Sequence, residues 1–167
     1  MRRLKIILIL ILAVLLPGCP DVQQLPDIPY VEFKDFTLEE SVDNLGNEII
    51  AGELLFFFQD GDGDVGLNEP DTIFPGDSSQ YNLFLTMFKK ENQEYIEVDV
   101  KAPLYYRIPF IEREGQNKTL QGEIEVTFEY LTIDYDTIRY TFYIVDREEH
   151  KSNTDTTFDI SFSEYRK

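Results

Sequence analysis

The chain has 167 residues, of which 32 are acidic and 15 are Lys or Arg, so its formal net charge is −17 at pH 7. This charge opposes binding to nucleic acid, and no basic cluster in the sequence offsets it. The single cysteine excludes an internal disulfide, and the single histidine excludes a metal site built from several histidines. A domain of this length buries about two thirds of its unfolded surface, which is enough for a core without disulfides.

Residues 1–18 have the pattern of a secretory signal peptide. A basic start at 1–5 precedes an apolar run at 6–16, which is too short to span a bilayer because spanning needs ~20 residues. The sequence Leu16-Pro17-Gly18-Cys19 resembles the processing site of bacterial lipoproteins. The resemblance implies cleavage after Gly18 and acylation of Cys19, palmitate included, which would anchor the mature chain in a membrane. An uncleaved membrane anchor is the alternative.

Residues 19–29 are predicted to form a tether, because Pro20, Pro26 and Pro29 with polar spacing favour an extended chain. In bacterial lipoproteins, Asp directly after the cysteine often signals retention at the inner membrane. Pro20 stands at that position, so the resemblance implies the outer membrane without indicating which face. Removal of 1–18 takes away three basic residues and no acidic ones, which leaves a charge of about −20.

The folded domain is predicted at 30–167, and its periodicity is that of β-strands. From Gly122 to Tyr130 apolar and polar residues alternate, which places Ile124, Val126 and Phe128 on one face. Similar patterns favour strands at 31–38, 49–58, 81–88, 95–100, 104–111, 122–130, 138–144 and 158–162. Eight short strands separated by turn residues predict an all-β, antiparallel sandwich or barrel.

The sequence ELLFFFQ at 53–59 is apolar on both faces of its predicted strand. Such a strand is typical of the centre of a sheet covered on both sides. The phenylalanines are therefore predicted to be core residues. Phe57 becomes an exposed anchor only if the outer face of that sheet is open.

The sequence YIVDREEHKSNTDTTFDI at 143–160 resembles the closing hairpin of bacterial immunoglobulin-like domains, in which an apolar strand ends in Asp and a Thr-rich strand returns. Together with FQDGDGDVG at 58–66, it makes the chain similar to small immunoglobulin-like lipoproteins of Gram-negative bacteria, which are largely of unassigned function. The resemblance implies an antiparallel immunoglobulin-like β-sandwich of about 7–8 strands.

A second candidate site, besides Cys19, lies in the acidic loop at 60–71. Asp60, Asp62 and Asp64 alternate with glycines, and oxygen ligands at every second residue suit a hard cation such as Ca²⁺. Asn68 and Asp71 complete the predicted ligand set. The loop is not an EF-hand, because its sixth position lacks glycine and its twelfth lacks glutamate. The alternative is a glycine-rich surface turn without an ion.

The topology of an immunoglobulin-like sandwich connects this loop to the C-terminal hairpin. The two segments share one end of the sandwich if an odd number of strand crossings separates them. Pro103 interrupts the run at 95–111, and counting that run as one passage favours a shared end. Asp146 or Asn153 would then supply a further ligand.

No motif in the sequence assigns an enzymatic role. His150 lies in a charged turn without a nucleophile elbow, and the acidic residues show no assignable pair. We therefore expect a non-catalytic envelope lipoprotein, a binding or assembly module with a structural calcium ion and a protein or glycan partner. A glycan-binding surface lipoprotein is the alternative, with Tyr105-Tyr106 as its best aromatic candidate.

Overall fold

The computed structural model describes residues 25–69, 78–112, 118–132 and 134–165. The predicted signal peptide, the lipidation site at Cys19 and the proposed ligand Asp71 lie outside these ranges. Within them, none of the helical structure is long and apolar enough to cross a membrane.

The described residues form nine strands and one turn of 3₁₀ helix at Ser78–Gln80. The strands are β1 (Tyr30–Val42), β2 (Glu48–Asp60), β3 (Leu83–Glu91), β4 (Glu94–Glu97), β5 (Leu104–Tyr106), β6 (Leu120–Tyr130), β7 (Thr137–Ile144), β8 (Asp155–Thr156) and β9 (Ile160–Ser161). A three-stranded sheet has the order β1-β2-β6. In the six-stranded sheet, β4 and β5 pair with one edge of β3, β7 pairs with the other, and β8 and β9 pair with β7.

All of these pairings are antiparallel, so the predicted all-β antiparallel sandwich is confirmed. The order β1-β2-β6 opposite β3-β7-β8 follows the A-B-E and C-F-G order of immunoglobulin-like sandwiches. The strands predicted at 95–100 and 104–111 are shorter, and β4 and β5 follow one another along the same edge of β3. Pro103 lies between them, and a residue without an N–H group breaks a strand ladder.

The core fills the space between the two sheets. Leu54, Phe56 and Phe58 of β2 are buried, as are the alternate residues of β7 that face them. The rings of Phe56 and Phe142 lie 5.0 Å apart across the interface. Each fully buried side chain of this size contributes about 1.5–3 kcal/mol. The alternation that predicted the strands thus also selects the residues that hold the sheets together.

The outer face of β2 differs from its prediction. Leu55 and Phe57 are half-buried, and no third layer covers them in the part of the chain that the structure describes. Their cross-strand neighbours are acidic residues of β1 and β6. The aliphatic stems of the glutamates among them can shield an apolar residue while the carboxylates stay in water. Burial on both sides was therefore the wrong expectation for this strand.

Candidate functional site

The acidic loop begins inside the protein rather than at its surface. Asp60, the last residue of β2, has an exposed fraction of 0%. Its Oδ2 accepts hydrogen bonds from the backbone N–H groups of Asp64, at 2.7 Å, and Val65, at 2.9 Å. One carboxylate oxygen therefore fixes the turn that follows the strand.

Two glycines allow this turn to fold back tightly. Gly63 and Gly66 have φ values of 67° and 108°, in the left-handed region that glycine adopts without strain. A Cβ atom at Gly66 would lie 2.6 Å from the backbone oxygen of Pro109. The glycines thus allow the loop to return Asp64 to the protein interior, where it has an exposed fraction of 8%.

The C-terminal hairpin supplies another buried carboxylate at the same end. Asp146 follows β7 and has an exposed fraction of 5%. Its Oδ1 accepts the backbone N–H of His150 at 2.8 Å, and its Oδ2 lies 3.0 Å from His150 Nδ1. The hydrogen bond to Asp146 is the main reason that the pKa of His150 is raised.

The loop and the hairpin meet in a cluster of carboxylates. One oxygen each from Asp60, Asp64 and Asp146 lies within 4.8 Å of the other two. Asp62, Asp64 and Glu148 form a second group at the same spacing, so Asp64 belongs to both. The three residues of the first group, which we call the inner triad, are all buried.

The inner triad is electrostatically unfavourable as it stands. Asp60 Oδ1 and Asp64 Oδ1 are buried and have no hydrogen-bond partner. Burial, followed by the charges of Asp146, Asp62 and Asp60, raises the pKa of Asp64 to about 6. Burial also raises the pKa of Asp60, against the opposing effect of its two backbone hydrogen bonds. Charged carboxylates in such a site require a compensating proton or cation.

The predicted ligands lie in different environments. Asp60 and Asp64 lie in the inner triad and Asp62 in the second group, whereas Asn68 is exposed beyond the bridge between Leu67 and Pro109. The shared end that the topology predicted brings Asp146 to the loop. Sequence reasoning missed Glu148, although its position two residues after Asp146 repeats the spacing of Asp60 and Asp62.

Asn153, the other ligand suggested for the hairpin, has a different role. Its Oδ1 accepts the N–H of Val31 at 2.9 Å, and its Nδ2 donates to the oxygen of Val31 at 2.8 Å. Asp155 Oδ2 accepts the N–H of Phe33. These side chains take the place of a neighbouring strand along the start of β1, so they join the sheets at a position separate from the inner triad.

Aromatic residues form a row on the outer face of the six-stranded sheet. The ring of Phe84 lies 5.0 Å from Tyr105 and 5.2 Å from Tyr143. Tyr81 extends the row, with its ring 6.1 Å from Tyr105, and Lys151 Nζ lies 3.6 Å from the centroid of Tyr143. Tyr105 is the most accessible of these rings, with an exposed fraction of 37%.

A cleft of about 440 Å³ lies beside Tyr105, between β3 and the chain that joins β4 to β5. Its lining includes Thr86, Glu97 and Asp99. Tyr106, the partner of Tyr105 in the predicted aromatic pair, points into the core, where its ring lies 5.9 Å from that of Phe128. Only Tyr105 of this pair is therefore available at the surface.

Comparisons of the chain with protein-family models, curated protein sequences and solved structures found no match.

Proposed function

We propose that this chain is a non-catalytic, lipid-anchored module of the outer membrane that binds a basic protein partner. The observation that carries the proposal is the outer face of the β1-β2-β6 sheet, where carboxylates of the two edge strands flank Phe57, Leu55 and Ala51 of β2. The signal-peptide pattern and the lipoprotein-like sequence around Cys19 support the envelope location.

The register of the sheet arranges this outer face in rows across the three strands. Two rows are Glu32–Phe57–Glu123 and Asp35–Leu55–Glu125, each with an apolar residue between two acidic ones. A further row is Glu39–Ala51–Glu129, and the row Thr37–Glu53–Thr127 separates it from the other two. Such an arrangement does not help the chain to fold, because it places like charges near each other and leaves large apolar side chains partly exposed.

One lysine of the chain shows how this face holds a basic group. Lys34 Nζ lies 2.8 Å from Glu32 Oε1 and 5.5 Å from the centroid of Phe57. A carboxylate beside the ammonium and an aromatic ring beneath it are both attractive to a cation. We expect Lys or Arg side chains of a partner to use the rest of the face in the same way.

The non-catalytic part of the proposal rests on the surroundings of the only histidine. His150 Nδ1 faces Asp146, as an acid–base residue would require. The hydroxyl of Ser152, the serine nearest in sequence, donates to the oxygen of Asn153 and accepts from the N–H of Ile144. Ser152 is thus bound in backbone structure rather than directed at the imidazole as a nucleophile would be.

A peptide of alternating lysine and leucine tests the proposed surface. Fluorescence anisotropy with the full chain in detergent should show binding that weakens as salt increases. The double variant Phe57→Ser, Glu123→Gln should bind at least about tenfold more weakly, since it removes a central contact and a charge. Ile96→Ser with Glu94→Gln makes the matched change on β4 and should bind normally. Equal loss in both variants, or no binding, would refute the surface.

Palmitate labelling and membrane fractionation test the lipid anchor. Cells expressing the full chain should incorporate labelled palmitate into the protein and retain it in the outer-membrane fraction. Cys19→Ala should lose both the label and the membrane fraction, because the only acylation site is gone. Labelling of the Cys19→Ala variant at the normal level would contradict the proposed anchor.

Glycan binding is the second candidate, and the aromatic row favours it. A sugar ring could stack on Tyr105 while its hydroxyl groups reach Thr86, Glu97 and Asp99 in the adjacent cleft. On a glycan array, Tyr105→Ala should lose the bound glycans, whereas Phe110→Ala, which removes another exposed ring, should keep them. Absence of any bound glycan would eliminate this candidate and leave the protein-binding surface unaffected.

A further inference from the structure

We propose that Asp60, Asp64 and Asp146 bind one calcium ion, which ties the two sheets of the sandwich together at this end. The inference is independent of the partner and of the lipid anchor. It rests on the burial of the inner triad, on the two oxygens without partners and on the spacing of the three carboxylates.

The buried oxygens supply the first argument. Asp60 and Asp64 are more than nine-tenths buried, and Oδ1 of each lacks a hydrogen bond. An unsatisfied buried polar group costs about 1–3 kcal/mol, and more when it carries a charge. Asp60 and Asp64 therefore each carry a buried oxygen that the described residues leave without a donor, in a cluster that also holds Asp146.

The positions of the basic residues support the same conclusion. Arg147 is exposed, and its guanidinium donates to the backbone oxygen of Gly66 at 3.1 Å. Among the described residues, the one ion-pair contact to the inner triad is that of His150 with Asp146. Within the described ranges, no salt bridge reaches the carboxylate of Asp60 or Asp64, although the charge of Arg147 is favourable to Asp64.

The spacing fits one ion of the size of calcium. Calcium binds oxygen at about 2.3–2.6 Å, so two ligands on opposite sides of the ion lie about 4.6–5.2 Å apart. The three carboxylates lie within 4.8 Å of one another, which allows one ion to contact all of them. Because all the ligands are carboxylate oxygens, the site favours a hard cation over zinc or copper. Asp62 and Glu148, which share the second group with Asp64, add negative charge at its rim.

The position of the triad gives the ion a structural role. Asp60 ends β2 of the three-stranded sheet, whereas Asp146 follows β7 of the six-stranded sheet. Asp64 lies in the turn that follows β2, where its backbone N–H donates a hydrogen bond to Asp60 Oδ2. A bound ion would therefore connect segments far apart in sequence and belonging to different sheets, and it would replace repulsion between them with attraction.

Calorimetric titration of the full chain in detergent, after removal of divalent ions, tests the proposal with calcium chloride as the probe. The wild-type chain should bind one calcium ion per molecule. Asp60→Asn keeps an oxygen that can accept the hydrogen bonds from the N–H groups of Asp64 and Val65, but it removes one charged ligand. Calcium affinity should fall at least about tenfold, because even the loss of a residue that only orients a metal ligand lowers metal affinity by about 10–100-fold.

Asp134→Asn is the matched control, because it removes the same charge from an exposed position before β7 and should leave the affinity unchanged. If Asp60→Asn does not fold, Asp64→Asn replaces it, with the same loss expected. Absence of calcium binding by the wild-type chain would overturn the proposal. Equal weakening in Asp60→Asn and Asp134→Asn would also overturn it, since it would show attraction to the net charge alone.

Discussion

The acidic residues of the inner triad and those on the outer face of the β1-β2-β6 sheet have the same chemistry in different environments. Asp60, Asp64 and Asp146 are buried, and their carboxylates converge on one point. Glu123, Glu125 and Glu129 are exposed and point outward at alternate positions of β6. Burial rather than the number of carboxylates therefore distinguishes a candidate ion site from a solvated surface.

The difference follows from the dielectric environment. Water and salt screen the charges of the outer face, so repulsion there is weak over distances beyond about 8 Å. Inside the protein the same charges interact more strongly and lose their hydration. Substitutions should therefore change stability strongly at the inner triad and weakly on the outer face.

The largest change in the free energy of unfolding is expected for Asp60→Ala. It leaves the N–H groups of Asp64 and Val65 without their acceptor, which costs roughly 2–6 kcal/mol at about 1–3 kcal/mol for each buried donor. Asp60→Asn should keep most of this stability. Chemical denaturation with a chelator present measures both variants, and Glu123→Ala on the outer face should change stability by less than about 0.5 kcal/mol. Equal costs for Asp60→Ala and Glu123→Ala would remove the distinction between the two regions.

Calcium binding should have the next largest effect on the free energy of unfolding. Free calcium at about 100 times its dissociation constant should raise the free energy of unfolding by about 2.7 kcal/mol, because only the folded chain holds the triad together. A chelator should reverse the change, and Asp60→Asn should lack it. Thermal unfolding by circular dichroism measures the shift. An unchanged midpoint in the wild-type chain at saturating calcium would be inconsistent with a structural ion.

A smaller effect is expected from pH in the presence of a chelator. The pKa of Asp64 is raised from 3.8 to about 6 in the folded state, so the folded chain holds a proton that the unfolded chain releases. Stability should therefore fall as pH rises from about 4 to about 6, by an amount on the order of 1–3 kcal/mol. Asp64→Asn should flatten this part of the profile. If wild-type stability instead rose over that interval, and Asp64→Asn did not show the rise, the pKa of Asp64 would be lowered rather than raised by folding.

The smallest effect is expected on the outer face. Glu123→Gln combined with Glu125→Gln should change the free energy of unfolding by less than about 0.5 kcal/mol per substitution. Any gain from reduced repulsion should shrink as salt is added, because these side chains are exposed. Urea titrations at low and high salt test this. A loss above about 2 kcal/mol would indicate a structural role that the exposed positions do not suggest.

Much of the fold could be predicted because alternation of apolar residues encodes both strands and core. The 122–130 pattern, for example, became β6 with Val126 and Phe128 buried. The lengths of β4 and β5 were overestimated, since the chain leaves the sheet around Pro103. The outer face of β2 was misassigned because apolar residues flanked by long acidic side chains look the same in sequence as residues covered by another layer.

The candidate site could be predicted only in part. Asp60, Asp62 and Asp64 stand out because they are contiguous and alternate with glycine. Asp146 could be suggested only through the topology, and Glu148 was not suggested at all, because contact between distant segments leaves no local pattern. Burial of Asp60 was not predictable either, since its position at the boundary between strand and loop is compatible with either environment.

Anomalous diffraction from crystals of the protein grown with calcium is the most direct test of a calcium ion bound by the inner triad. We expect one anomalous peak about 2.3–2.6 Å from an oxygen of each of Asp60, Asp64 and Asp146. The outer face of the β1-β2-β6 sheet should show no such peak. A triad without a peak at saturating calcium, or peaks only among Glu123, Glu125 and Glu129, would contradict the account.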